Sequence, residues 1–265
     1  MRNHIIAAGS LFLIAAVPAL AEEAPTPEVT EYLTQNQRSL AVIPEGTWET
    51  GLSFAASTSS KDFMIGSTGQ FGFGGQLSLT RGIAKGLEVS LQLPLSKSTV
   101  ETNLFGDVTH QSASSGAVGV SVRKVFLFES EKAPEIVGTL GVTAPTSGDA
   151  EAAVSIGVDF YRQIDPMVVS AGVSASKGLR TGDFSYDLHA SMNFAVSDRV
   201  GLSALVTWAA DGGLFQDAMK EDVSLQFGMP ITSASGTDSF TPSIAFGLTG
   251  ASTNATLGFS WVRRW

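Results

Sequence analysis

About a dozen times between Trp48 and Trp265 the sequence alternates apolar residues with small or polar ones, and this period of two is its strongest constraint. The clearest stretch sets Leu87, Val89, Leu91, Leu93 and Leu95 against Glu88, Ser90, Gln92 and Ser96. Successive side chains of an extended strand point to opposite faces, so such a stretch is a strand with one apolar and one polar side. Ala152, Val154, Ile156, Val158 and Phe160 repeat the pattern, as do Phe184, Tyr186, Leu188, Ala190, Met192 and Phe194. Leu257, Phe259 and Trp261 carry it to the C-terminus.

Alternation alone fits a water-soluble sandwich as well as a membrane barrel. Composition separates the two. Hydrophobic residues make up 43% of the chain and charged residues only 15%. Yet past residue 21 there is no apolar run of the roughly 18 residues that a helical span needs. The polar faces carry Ser, Thr, Gly and Gln rather than many charges. Strands with one side in lipid and one lining a small-residue lumen meet all of these conditions. The expected fold is all-β: a transmembrane, antiparallel, up-and-down β-barrel of about 12 strands with a short N-terminal leader or plug.

The connections agree. Those expected at one end are mostly short, such as 81–86, 162–166 and 197–199. Those at the other end are often long, at 58–68, 97–115 and 210–221. Short periplasmic turns and longer outer loops are the asymmetry of outer-membrane barrels.

The ends divide the chain further. Residues 1–21 combine Arg2, an apolar run from Ile5 to Val17, and Ala19-Leu20-Ala21 before Glu22, the layout of a secretory signal peptide. Residues 22–46 read as a periplasmic leader or a lumen plug, with Pro27 and Glu28 suited to opening a helix. Residues 47–265 are the barrel. A last strand ending in Trp265 suits pairing with the first, because an open edge in lipid strands backbone donors and acceptors.

Two groups of residues follow from the alternation. Trp48, Phe126, Phe160, Phe194, Trp208, Phe227, Trp261 and Trp265, with Phe128, Tyr161 and Phe240, fall near strand ends, where aromatic girdles meet the membrane interface. Glu49, Gln76, Glu88, Gln92, Arg123, Asp159, Asp187, His189 and Gln226 fall on the polar faces and are the candidate pore-lining residues, setting charge selectivity.

"GTWETGLSFAAS" from Gly46, "GDV" at 106–108, "GAVGVSVRKVFLF" from Gly116 and "GTLGVTAPTSGD" at 138–149 resemble the outer-membrane transporter family named for the meta-pathway of phenol degradation. Ser147 interrupts that family's usual Pro-Thr-Gly-Asp. The resemblance implies an outer-membrane pore of a Gram-negative bacterium passing small molecules, apolar or aromatic ones among them. The chain is also similar to barrel channels that export functional-amyloid subunits and carry an N-terminal plug, which implies polypeptide secretion as an alternative. Expected partners are outer-membrane lipid, a small-molecule solute and, through the C-terminal strand, the barrel-assembly machinery. An oligomer is compatible with this reading.

Other chemistry is thinly represented. A formal net charge of −9 argues against nucleic acid as a partner. There is no cysteine, and three scattered histidines suggest no metal site and no cofactor. His189, Ser191 and Asn193 resemble the His-x-Ser and nearby Asn of twelve-stranded outer-membrane phospholipases, the basis of a third reading as a lipid hydrolase. Met192 stands where that family has the residues following Ser, and the register puts the triplet on the lumen side, so no catalytic residue is expected. Phe63, Met64, Ile65, Leu104, Phe105, Leu214 and Phe215 could form an apolar entrance in the long loops.

Overall fold

The computed structural model describes residues 41–63, 66–102, 107–114, 117–146, 151–211, 220–249 and 254–265. Within these the chain folds as strands: β1 (Trp48–Phe63), β2 (Gly66–Ala84), β3 (Leu87–Thr102), β4 (Val108–Ser114), β5 (Ala117–Leu127), β6 (Glu135–Pro145) and β7 (Ala153–Ile164). They continue as β8 (Met167–Gly178), β9 (Phe184–Ala195), β10 (Gly201–Asp211), β11 (Lys220–Gly228), β12 (Ile231–Thr232), β13 (Asp238–Gly247) and β14 (Ala255–Arg264). β4 and β5 follow one another along β3, with β4 pairing Lys97–Thr102 and β5 pairing Leu87–Gln92, so they form one stave. β12 adds a two-residue pairing to the start of β13. The wall is therefore a closed antiparallel barrel of 12 staves.

Closure is made by the first and last strands, from Glu49↔Arg264 to Thr58↔Ala255. At its end the Trp48 N–H donates to the Trp265 carbonyl (2.8 Å) and the Trp265 N–H returns to that of Trp48 (3.0 Å). Their rings stack with centroids 6.2 Å apart. Regular alternation to the last residue thus has a plain cause: every one of those backbone groups completes the ladder.

The pleat sorts the side chains. On β5, Val120, Val122 and Phe126 are exposed on the outside, while Gly119, Arg123 and Val125 are buried inside. Leu140 on β6, Ile156 on β7 and Leu257 on β14, each more than half exposed, continue the outer apolar surface. A water-soluble monomer seldom exposes more than a few hundred Å² of contiguous apolar surface, whereas a lipid-facing wall requires it.

Of the local departures from simple alternation, three bear on the site. Residues 58–63, 66–68, 97–102 and 108–114, expected as loops, are paired strands. Their polar residues conceal the pairing because a strand beyond the lipid no longer needs an apolar face. A bulge on β3 sets Gln76 opposite Pro94 and Gly75 opposite Ser96, leaving Leu95 as the extra residue. Leu95 stays outside, against Gly75 and near Phe54. Beyond it the parity changes, and Thr99 and Glu101 take the inner register expected for even-numbered positions such as Ser96. The third feature is Pro242, whose missing N–H is placed at little cost. Its carbonyl accepts from the Met229 N–H, so its nitrogen also faces β11, which ends at Gly228.

Candidate functional site: the barrel interior

The inner face of the wall has two unlike sides. On the first, cross-strand register aligns charges. Glu88 pairs with Arg123, and Glu135 pairs with Tyr161. Arg123 Nη1 donates to Glu88 Oε1 (2.9 Å), and Nη2 donates to the Tyr161 hydroxyl (3.0 Å). Glu88, Arg123, Glu135, Asp159 and Tyr161 are all buried.

What buries them is the chain's own N-terminal approach to β1. Ala41, Val42 and Ile43 lie inside the barrel and are themselves buried. This stretch joins no strand ladder, and buried N–H and C=O groups need partners. The charged wall residues supply them. Glu135 accepts from the Ala41 N–H (3.1 Å), Glu88 accepts from the Ile43 N–H (2.8 Å), and Arg123 Nη1 donates to the Ala41 carbonyl (2.8 Å). Ala41 and Val42 pack with Val125, Val137 and Tyr161, with Phe128 beside them. On β2, a side chain at Gly82 would collide with the Pro44 carbonyl, so only glycine lets the segment lie this close.

On the second side, β8 to β11, small hydroxyls bond to one another across the strands. Ser170 meets Ser191 (2.7 Å), Ser176 meets Ser185 (2.6 Å) and Thr207 meets Ser224 (2.6 Å). Ser174 donates to Asp187 (3.3 Å). One contact spans the two sides. His189 Nε2 on β9 lies 3.1 Å from Asp159 Oδ1 on β7. The two residues share one register row with Gly172 of β8 between them. A side chain there would strike both groups, so the glycine opens a gap that lets them meet over the intervening strand.

The candidate pore-lining residues distribute as follows. Glu49 pairs with Arg264 of β14 (2.8 Å), which seals the seam between first and last strands with a charge pair. Gln76 and Gln92 line, with Glu49, Glu88 and Arg123, a cavity of about 60 Å³ beside Ala41 and Ile43. Asp187 and His189 sit on the hydroxyl side or its border, and Gln226 is half-buried between Leu205 and Ala245. Glu135 and Arg264, not among the candidate residues, complete the site with Tyr161. Tyr161, expected in the aromatic girdle, is turned inward, because its neighbour Phe160 takes the outer position. Glu135 lies one step before Ile136, hence on the polar face, where alternation could have found it.

Phe126, Phe160, Phe194, Phe227 and Trp265 are exposed, and Trp48, Trp208 and Trp261 are half-exposed. By register Trp48 and Trp261 share the outer face with Phe54 and Phe259, and Trp208 shares it with Leu188. The hydrolase triplet is not assembled: His189 is engaged with Asp159 and Ser191 with Ser170. Among the described residues no three His, Asp or Glu side chains converge as metal ligands. Residues 1–40, which hold the signal sequence and most of the leader, lie outside the described residues, as do Met64, Ile65, Leu104, Phe105, Leu214 and Phe215 of the loops.

No family model matches the chain, and no curated protein matches its sequence. Solved structures do. An outer membrane channel from Pseudomonas putida F1 is similar with a TM-score of 0.62 at 14% identity, covering 84% of this chain and 97% of that one. The translocator domain of the autotransporter NalP from Neisseria meningitidis is similar with a TM-score of 0.55 at 9% identity, covering 90% and 97%. The NanC porin is similar with a TM-score of 0.52 at 8% identity, covering 80% and 98%. At these identities the shared property is the barrel fold.

Proposed function

We propose that this chain is an outer-membrane pore that passes small molecules and is partly stoppered by its own N-terminal segment. One observation carries the reading: a closed barrel, apolar outside, whose interior is charged and occupied on one side but lined by small hydroxyls on the other. Short side chains that satisfy each other across strands leave space along β8 to β11, and a solute path follows that side. Glu49, Gln76, Glu88, Gln92, Arg123, Asp159, Asp187, His189 and Gln226 then line or border the passage. The resemblance noted from the sequence supports small apolar or aromatic cargo. Residues 22–46 act as the stopper, supported by the lodging of Ala41–Ile43 against Glu88, Arg123 and Glu135.

A second reading, export of an amyloid-like polypeptide, has one observation in its favour. The wall already grips a piece of chain by its main-chain N–H and C=O groups, which every polypeptide offers. The test is single-channel recording in planar bilayers, with the mature chain and a form lacking residues 22–46. Steady conductance that rises on truncation is expected. Silence from both folded forms overturns the pore, and equal conductance overturns the stopper. Liposome swelling with phenol against glycerol then separates apolar from polar cargo.

A further inference from the structure

We propose that the base of the outer wall across β1, β2 and β5 is a binding site for an anionic phospholipid. The inference rests on the membrane placement argued above and concerns a surface that the pore does not use. Two cations sit over rings of the outer face there, beside Lys85, which lies over the half-buried Phe128. The Arg81 guanidinium lies 4.9 Å from the ring centre of Trp48, and Lys124 Nζ lies 5.8 Å from that of Phe126. Both cations and Phe126 are exposed on the outer face, near the end of the wall that carries the short turns.

β3 separates the pairs. Arg81 is in register with Val89, and Lys124 with Leu87, so two apolar residues lie between the charges. Strand spacing puts the two Cα atoms roughly 10 Å apart across the sheet and two residues apart along it. Within the described residues no carboxylate comes within 4 Å of Arg81 or Lys124, so their charge faces outward. The turn between β2 and β3, from Arg81 to Gly86, adds Lys85 and no acid.

The rest of the same rim differs. Phe160, Phe194, Phe227 and Phe240 are also exposed at that level, but among the described residues none has a cation over its ring. Arg162, next to Phe160, is turned to the carbonyls of Ser130, Glu131 and Ala133. Here two exposed cations over aromatic rings stand on β2 and β5, on either side of the single strand β3. Two positive groups flanking an apolar strip match a lipid with phosphate above and acyl chains below, best a diphosphatidyl lipid that reaches both.

The experiment folds the full chain into phosphatidylcholine vesicles and scores insertion by heat-modifiable migration on SDS gels. Spin-labelled cardiolipin, phosphatidylglycerol and phosphatidylcholine are then compared for the fraction immobilised by protein. Wild type should prefer cardiolipin over phosphatidylcholine by roughly fivefold per cation engaged. Arg81→Gln with Lys124→Gln should abolish that preference. Lys177→Gln, which removes the cation over Phe184 at the opposite end of the wall, should leave it unchanged. Equal immobilisation of all three lipids by inserted wild type overturns the site, as does a preference that survives the double substitution. Failure of the folded chain to insert overturns the membrane reading and the site with it.

Discussion

The two sides of the barrel interior obey the same pleat and solve different problems. On β3, β5, β6 and β7 the inward positions include long charged groups around Ala41 to Ile43, and these close on partners: Glu88 and Arg123 on each other, and both with Glu135 on the main chain of Ala41 to Ile43. On β8 to β11 many inward positions are Ser and Thr, which satisfy one another pairwise, with Asp187, His189 and Gln226 among them. Long ionised groups inside a barrel must be paired, since an uncompensated buried charge is costly. They therefore suit a place that is filled. Short hydroxyls need one bond each and leave the middle clear. Lining chemistry thus separates the side packed by the chain's own segment from the side on which the proposed path runs.

That contrast can be broken in graded steps. Arg123→Met should have the largest effect, because it takes the ion-pair partner from buried Glu88 and the Arg123 hydrogen bond from the Ala41 carbonyl. Losing one partner of a buried ion pair costs about 3–5 kcal/mol, to be read from urea unfolding in lipid vesicles by tryptophan fluorescence. Gly82→Ala should come next, at about 1–3 kcal/mol for the overlap with Pro44. It leaves every charge in place, so a rise in conductance would assign the occlusion to the segment's position and not to its ion pairs. Thr207→Val, which removes a hydroxyl pair on the open side, should cost under about 1 kcal/mol and leave conductance near wild type. If it destabilises as much as Arg123→Met, the two sides do not differ energetically.

The smallest effect lies where the loops of the two sides meet. Glu151, before β7, accepts from the Thr181 hydroxyl (2.5 Å) and from the N–H groups of Thr181 and Arg180 (2.8 Å each), beyond β8. The Thr181 hydroxyl, then its N–H, hold the Glu151 carboxyl below its ordinary value. A group with a depressed folded value adds stability above the ordinary carboxylate range and loses it as pH falls through its folded value. Hydrogen exchange of Arg180 and Thr181 amides should therefore quicken on acidification below that range. Thr181→Val should raise the pH at which this happens. Exchange indifferent to pH after correction for intrinsic rates would remove the tie between the loops.

Much of this was legible in the chain. Alternation on β3, β7 and β9 marks Glu88, Asp159, Asp187 and His189 as inward residues, and the register sets Glu88 opposite Arg123 and Asp159 in one row with His189. Tyr161 was misread because an aromatic near a strand end suits either the interface or the interior, and only its place after Phe160 decides. Glu135 is harder to see because its strand begins with it, so only the residues after it, from Ile136 on, show that it falls on the polar face. Parity beyond Leu95 was lost to a bulge, which depends on how β2 and β3 pair rather than on either strand alone.

By itself the sequence determined what is periodic and local: strands, their apolar faces, the order of staves and the turns between neighbours. Each follows from side chains two apart and from short connections. Tertiary structure decided what joins distant residues. Ala41 meets Glu135, Asp159 meets His189 across Gly172, and Glu49 meets Arg264 at the seam. No periodicity encodes those contacts. They exist because closing the wall turns its polar faces toward one another and gives every buried charge a small set of groups within reach.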